Sequence, residues 1–313
     1  MNSRMRSAAE PSGRVIPAPM LLPRFDFEAP VSLEAACEML VQAGGEGRVM
    51  AGGTDLLVKM KRGVVAPRVV ISLGRLDSLA SIEVPESGLR LGSCATMSRI
   101  ASHPAILASW QALAEGAGWV GGPIVRNRAT VGGNVVNARP CADTLPPLIA
   151  LQAHLELTSR EGQRRVPVEG FVESPGKCAM RPDEILTAID LPTPPPNAGS
   201  HYIKVTRRAA MDVTLVGCAA SVVLDETRQR VLQARLVYTS VAPIPLRIAA
   251  AERMVEGEVP SAQVLEAAAH EAQRLAPVLG DHRAPQDYRS TLVFVTTCRA
   301  LKGAIERAGG AVR

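Results

Sequence analysis

The sequence predicts an α+β chain of two domains, and three observations carry that prediction. Near the start, a strand, a helix and a second strand run into a Gly-Gly loop. Near the end, three strand-like runs precede three helical ones, the pattern of an α+β domain with segregated layers. Between them stands Pro192-Thr193-Pro194-Pro195-Pro196-Asn197. Its consecutive prolines fit neither helix nor central sheet, and they stiffen the chain as a spacer. The expected division is an N-terminal extension over 1–23, a first domain over 24–192, a proline-rich linker over 193–200 and a C-terminal α+β domain over 201–313.

Taken in order, Phe25-Asp26-Phe27 reads as a strand, and Ser32 can cap a helix running to about Ala43. Leu33, Ala36, Cys37 and Leu40 fall at i, i+3, i+4 and i+7 on one face, and Glu34 sits where a helix N-terminus favours an acid. Gly44-Gly45 ends that helix, and the strand Arg48 to Ala51 leads into the first Gly-Gly loop. A short helix over Leu56–Arg62, a strand over Arg68–Leu73 and a hairpin of Ile82–Val84 with Leu89–Gly92 follow. Ser98–Ala101 and Trp110–Ala117 read as helical, and Pro146-Pro147 opens a short helix to Leu151. Strands are expected near His154–Leu157, Arg164–Val168 and Ile185–Leu191. Beyond the spacer come strands at His201–Thr206, Val213–Leu224 and Val231–Ser240, then helices at Leu246–Val255, Ser261–Leu275 and Gln286–Arg307.

Composition narrows the function classes. In 313 residues, 47% are hydrophobic and 21% charged, the balance of a globular protein with a real core. Aromatic residues make up only 3%, so the core must be aliphatic and base-stacking platforms are lacking. The net charge of +5 is spread as scattered arginines, which suits solvated surface and partner contacts and not a nucleic-acid footprint. The cysteines Cys37, Cys94, Cys141, Cys178, Cys218 and Cys298 lie far apart with no Cys-x-x-Cys pair, so no metal cluster and no disulfide framework are expected. Buried free thiols point to a reducing cytoplasm. No run reaches the ~18 to 20 apolar residues of a membrane span. The first 23 residues, broken by prolines, are expected to be a disordered or partner-bound extension and not a secretory leader, dispensable for cofactor binding.

The chemistry gathers at Gly-Gly. In Thr130-Val131-Gly132-Gly133-Asn134, two adjacent glycines leave backbone with no Cβ to shield it, so a ligand can approach its N–H groups closely. Successive N–H groups turned to one point form an anion nest, and a diphosphate is the usual occupant. Ala51-Gly52-Gly53-Thr54-Asp55-Leu56 is a second copy, placed directly after a strand. Two such loops could clamp one dinucleotide from two sides; two unrelated tight turns are the alternative.

The run Ala51 to Leu56, then Arg126-Asn127-Arg128-Ala129 with Thr130 to Asn134, then Pro140-Cys141-Ala142-Asp143-Thr144, closely resembles the FAD-binding medium subunit of the molybdenum hydroxylases. That family includes the carbon monoxide dehydrogenases, the bacterial xanthine dehydrogenases and the aromatic hydroxylases built like them. The resemblance covers about residues 25 to 305, with its motifs in the right order. It implies an FAD-binding domain in two parts, of the vanillyl-alcohol oxidase and p-cresol methylhydroxylase type, followed by a small α+β domain built on a three-stranded antiparallel sheet. It implies flavin contacts at Val49, Met50, Ala51, Gly52, Gly53, Thr54, Asp55 and Leu56, and at Thr130, Val131, Gly132, Gly133 and Asn134. Asp143 would hold polar parts of the FAD, although the residues alone favour an acid capping the helix that starts at Thr144 or Leu145. Leu186 would pack on the isoalloxazine, or be an ordinary core leucine. Lys204, on an alternating strand where solvent exposure is usual, would place a positive charge at the flavin and favour its anionic reduced form. Val120 sits where some members place an aromatic ring, and a valine cannot stack.

By the same resemblance, a large partner subunit holds a molybdenum–pterin cofactor and a small one carries two 2Fe-2S clusters, in a dimer of heterotrimers. This chain would take electrons onto FAD and pass them to NAD, a quinone or dioxygen. No catalytic residue and no metal site are expected on the chain itself. The branch that inserts a cysteine-bearing loop for a four-iron cluster is disfavoured, because only Cys141 lies between Asn134 and Leu148. Arg126 and Arg128 could meet the diphosphate, a partner's acids or solvent. His103, His154, His201, His270 and His282 stand in unrelated contexts, and neither clamp fits Gly-x-Gly-x-x-Gly, so a Rossmann fold is not indicated. A self-contained flavin oxidoreductase and a flavin-free scaffold remain the alternatives.

Overall fold

The chain is described by a computed structural model over residues 21–313; the extension expected over 1–23 lies, up to residue 20, outside the described residues. The first lobe joins β1 (Asp26–Glu28), α1 (Leu33–Ala43), β2 (Gly47–Met50), α2 (Leu56–Lys61) and β3 (Val69–Ser72). Its three strands are parallel in the order β1-β3-β2. β3, in the middle, is buried along its whole length, as the run Val69-Val70-Ile71 anticipates. α1 covers the sheet with Ala36, Cys37, Leu40 and Ala43. The expected cap is present, since Ser32 Oγ accepts the Ala35 amide at 3.1 Å, and Gly44 ends the helix at φ 55°.

The second lobe holds β4 (Ile82–Glu83), β5 (Gly88–Gly92), then the helices α3 (Met97–Ser102), α4 (Pro104–Ser109), α5 (Gln111–Gly118), α6 (Pro123–Arg126), α7 (Val131–Val136) and α8 (Leu145–Ala150). It continues through β6 (His154–Ser159), β7 (Gly162–Pro167), the small hairpin β8 (Val172–Ser174) with β9 (Lys177–Cys178), and β10 (Ile185–Pro192). The main sheet is antiparallel in the order β4-β5-β10-β6-β7. β10, in the middle, pairs Ala188 with Gly92 on one side and Ile189 with Leu155 on the other. Leu91, Leu113, Leu148, Leu155 and Ile189 form the centre of its core. These two lobes are the two parts expected of the FAD-binding domain.

The C-terminal domain comprises β11 (Ala198–Val205), β12 (Val216–Leu224), β13 (Val231–Thr239), β14 (Leu246–Arg247), α9 (Ala249–Arg253), α10 (Ala262–Leu275) and α11 (Gln286–Arg307). β11 begins at Ala198, inside the stretch read as linker, because Ala198 to Ser200 already pair with β12. The sheet has a fourth, two-residue strand. Leu246-Arg247 pairs with Val237 and Tyr238 of β13, so the helix expected over Leu246–Val255 shortens to Ala249–Arg253. Strand alternation gives the sheet two apolar faces. Cys218 and Tyr238 face α10 and α11, while their neighbours Tyr202, Ala219 and Val237 join the core of the second lobe.

That shared core carries a polar lock. Glu115 on α5 lies 2.9 Å from His201 Nδ1 and accepts the Tyr202 amide at 2.8 Å and Arg307 Nη2 at 2.6 Å. Burial resists its ionisation, but the bonds from His201, Arg307 and Tyr202 win and hold its carboxyl below the ordinary value of 4.5. A carboxyl depressed on folding binds its proton more readily when unfolded. Its contribution is therefore complete above about pH 4.5 and is lost as pH falls through the depressed value. Glu115→Gln should cost about 2 kcal/mol at neutral pH and flatten the loss of stability on the acid side of pH 4.5. Denaturant midpoints from pH 7 down to 3 check this; an unchanged acid profile would count against the lock.

Candidate functional site

The two Gly-Gly segments meet at the junction of the first and second lobes. Gly52 lies so close to the second segment that a Cβ there would overlap the carbonyl oxygen of Arg128. Between them opens a cavity of about 380 Å³ lined by Arg48 to Leu56, Lys59, Val120, Val125, Ala129, Thr130, Gly133, Asn134, Val136 and Asn137. A smaller cavity of about 90 Å³ shares Val49, Ala51, Gly133 and Val136 with it and adds Ser93, Gly132, Met180, Glu184 and Leu186. Of the sequence-predicted residues, Val49 through Leu56, Val120, Thr130, Gly133 and Asn134 line the larger cavity, and Gly132 and Leu186 the smaller.

The two segments work differently. In the first, Gly53 takes φ 73°, a left-handed turn that glycine adopts without strain. Among the described residues, the amides of Gly52, Gly53, Thr54, Asp55 and Leu56 donate to no protein acceptor. Consecutive unpaired amides on a cavity wall suit an anion of several oxygens. The second segment is a helix, not the nest that its glycines suggest. Thr130 caps it, its Oγ1 accepting the Gly133 amide at 3.2 Å. The amides of Val131, Gly132 and Asn134 are spent on Ala95, Ser93 and Thr130 carbonyls. Gly132 is required for room, since a Cβ would stand 2.7 Å from Ser93. Val131 is fully buried in the core and lines neither cavity.

Asp143 and Lys204 lie behind the wall. Lys204 Nζ donates to Asp143 Oδ2 at 2.8 Å, and the two side chains are only 3% and 8% exposed. Tyr202 Oη at 2.8 Å and Thr214 Oγ1 at 2.9 Å donate to the other carboxylate oxygen. Burial pushes the Asp143 carboxyl up, against the pull of Lys204, Tyr202 and Thr214. Burial and the neighbouring carboxylate push the Tyr202 phenol well above its usual value. Asp143 makes no helix cap: α8 starts at Leu145 behind Thr144, without any side-chain cap bond. Lys204 reaches the Trp119 carbonyl at 3.3 Å, with its ammonium 5.7 Å from that indole's centre. It thus stands one residue behind Val120, which lines the cavity.

Other residues sharpen the picture. Arg126 spends its Nη1 on the Gly121 carbonyl at 3.1 Å, and Arg128 is exposed, its backbone alone meeting Gly52. Asp55 faces Arg139 at 3.6 Å. Lys59 and Asn137 were not singled out by sequence reading. The position of Lys59 one turn into the helix after the first Gly-Gly was the available signal; Asn137, just past the second, had none. Among the described residues, no cluster of three His, Cys, Asp or Glu could hold a metal, and no helix is long and apolar enough to cross a membrane.

This geometry agrees with what the chain resembles among known proteins. Residues 23–194 match the family model described as the FAD binding domain in molybdopterin dehydrogenase, and residues 201–304 the CO dehydrogenase flavoprotein C-terminal domain. The chain is 34% identical over 267 residues to the putative xanthine dehydrogenase FAD-binding subunit of Escherichia coli strain K12, covering 85% of this chain and 91% of that one. It is 31% identical over 288 residues to the carbon monoxide dehydrogenase medium chain of Hydrogenophaga pseudoflava, covering 92% and 99%. A solved carbon monoxide dehydrogenase from the same organism, lacking the Mo-pyranopterin moiety, superposes with a TM-score of 0.87 at 31% identity over 92% of this chain and 99% of that one. The free amides of residues 52–56 on the cavity wall suit the diphosphate of FAD.

If the two segments form one cradle, their contact is the sensitive point. Gly52→Ala forces its new methyl into the Arg128 carbonyl, and overpacking of backbone on backbone costs on the order of 3 kcal/mol. A lowered melting temperature together with reduced flavin content is the expected result. A variant that melts and loads as the parent does would show that the loops part freely.

Proposed function

The chain belongs to the FAD-binding medium subunits of the molybdenum hydroxylases, and from that premise we propose that it is the electron-transfer subunit of a larger oxidoreductase complex. The observation that carries this reading is the cavity between the lobes, with unpaired amides from Gly52 to Leu56 on one wall. When bound, FAD supplies the redox chemistry, accepting electrons and releasing them to an acceptor. The chain's own residues bind and orient it.

In this reading Val49 to Leu56 cradle the diphosphate, and Thr130, Gly132, Gly133 and Asn134 form the opposite wall, with Val131 anchoring that helix in the core. Val120 and Leu186 shape the apolar walls for the ring system. Lys204 acts from behind Val120, and its charge is largely balanced by Asp143. The field at the flavin is then that of a pair and not of a bare cation, so any shift of potential is modest. Electrons would arrive from the 2Fe-2S clusters of a small partner subunit, which takes them from a large subunit holding the molybdenum–pterin cofactor. They would leave to NAD, a quinone or dioxygen. A dimer of such heterotrimers in the cytoplasm completes the proposal. The relative named a medium chain is matched over nearly its whole length, which supports a subunit role.

Affinity purification from the native host, with flavin and metals quantified, tests this. The expected eluate contains two partner chains, molybdenum, iron and about one FAD per copy of this chain. A lone flavin-loaded chain that oxidises a small molecule by itself would overturn the subunit reading.

A further inference from the structure

Lys59 lies on α2, the helix that follows the first segment, and its Nζ donates to Asn137 Oδ1 at 2.7 Å. Asn137 is the C-cap of α7, the helix opened by the second segment. The bond therefore spans the two segments, and both residues line the larger cavity. The charges there are unevenly matched. Asp55 is paired with Arg139, and Arg48 is turned onto the carbonyls of Gly45 and Gly47 at 2.9 and 2.6 Å. Among the described residues, Lys59 has no carboxylate partner. It is only partly exposed. An ammonium offers three protons, and the neutral amide oxygen of Asn137 takes one. So a partly desolvated cation with spare donors stands in a cavity that already presents the unpaired amides of Gly52 to Leu56.

We propose that Lys59 is the charge partner of the FAD diphosphate, and that Asn137 is the positioning residue that holds its ammonium between the two segments. The assignment rests on the FAD reading above. The amides supply directed hydrogen bonds but no net charge, whereas a diphosphate brings two negative charges into a cleft where water no longer screens them fully. Lys59 supplies the compensating charge as a point cation. Its tether to Asn137 limits the side-chain entropy lost on binding.

The test titrates the flavin-stripped full chain with FAD and with riboflavin, which lacks phosphate, at low and high salt. Lys59→Gln is expected to weaken FAD binding roughly 10- to 100-fold, the range of a lost charge-assisted hydrogen bond. It should also reduce the salt dependence of FAD affinity and leave riboflavin affinity unchanged. Lys59→Arg should retain FAD affinity within a few fold. Asn137→Ala should weaken FAD by no more than Lys59→Gln does and leave riboflavin affinity unchanged. The assignment is overturned if Lys59→Gln binds FAD as the parent does, if it loses FAD and riboflavin alike, or if Asn137→Ala loses both flavins alike. The last two outcomes would mark the pair as a structural latch only. Failure of the parent chain to bind FAD at all would instead sink the functional reading itself.

Discussion

The contact on which the site depends is backbone against backbone, where the glycine turn after β2 rests on the Arg128 carbonyl. No side chain can occupy that gap. The first lobe is a small parallel sheet with one covering helix, and the second is an antiparallel sheet with its own core. Neither lobe encloses a dinucleotide alone. Seating one glycine turn against one carbonyl brings free amides from the first lobe opposite a capped helix from the second. The cavity is the consequence of that seating, and each lobe has its own core behind the wall it supplies.

Polar groups fix the third element of the assembly. Asp143 binds three side chains of the C-terminal domain, and Glu115 binds β11 and α11. A buried pair such as Asp143 and Lys204 adds little net stability, since desolvation offsets most of the attraction. It does dictate orientation, because each donor must find its one acceptor in a dry interface. Together these bonds set how the strand bearing Lys204 lies against α5 and its C-cap Trp119. The C-terminal domain thereby buttresses the wall that Val120 presents to the cavity.

Much of this was legible in the sequence because it is local. Ser32 announces α1 through a cap that forms as expected. The strand, Gly-Gly and polar residue of the first segment announce the tight turn there, since a left-handed glycine is a local property. What was not legible depends on neighbours distant in the chain. Gly132 and Gly133 suggest a turn, yet Gly132 is glycine because Ser93 crowds it, and α7 is a helix whose amides are already spent. The start of the helix expected from Leu246 is diverted into an edge strand by pairing with β13. Lys59 and Asn137 sit 78 positions apart, so nothing in either neighbourhood couples them. For Asp143 the sequence allowed a cap or a cofactor contact, and the fold makes it the centre of a buried ion pair.

The order of the central sheet also bears on how the protein is made. β10 is its middle strand and the last of the five in the chain. Both glycine segments leave the ribosome before it, yet the sheet that backs them cannot close until β10 slots between β5 and β6. Contacts so distant in sequence form late, because a long loop must be closed first. A nascent chain that has passed Asn134 thus carries both glycine segments without their backing wall. The cavity between them takes its final shape only with the arrival of residues 185–192.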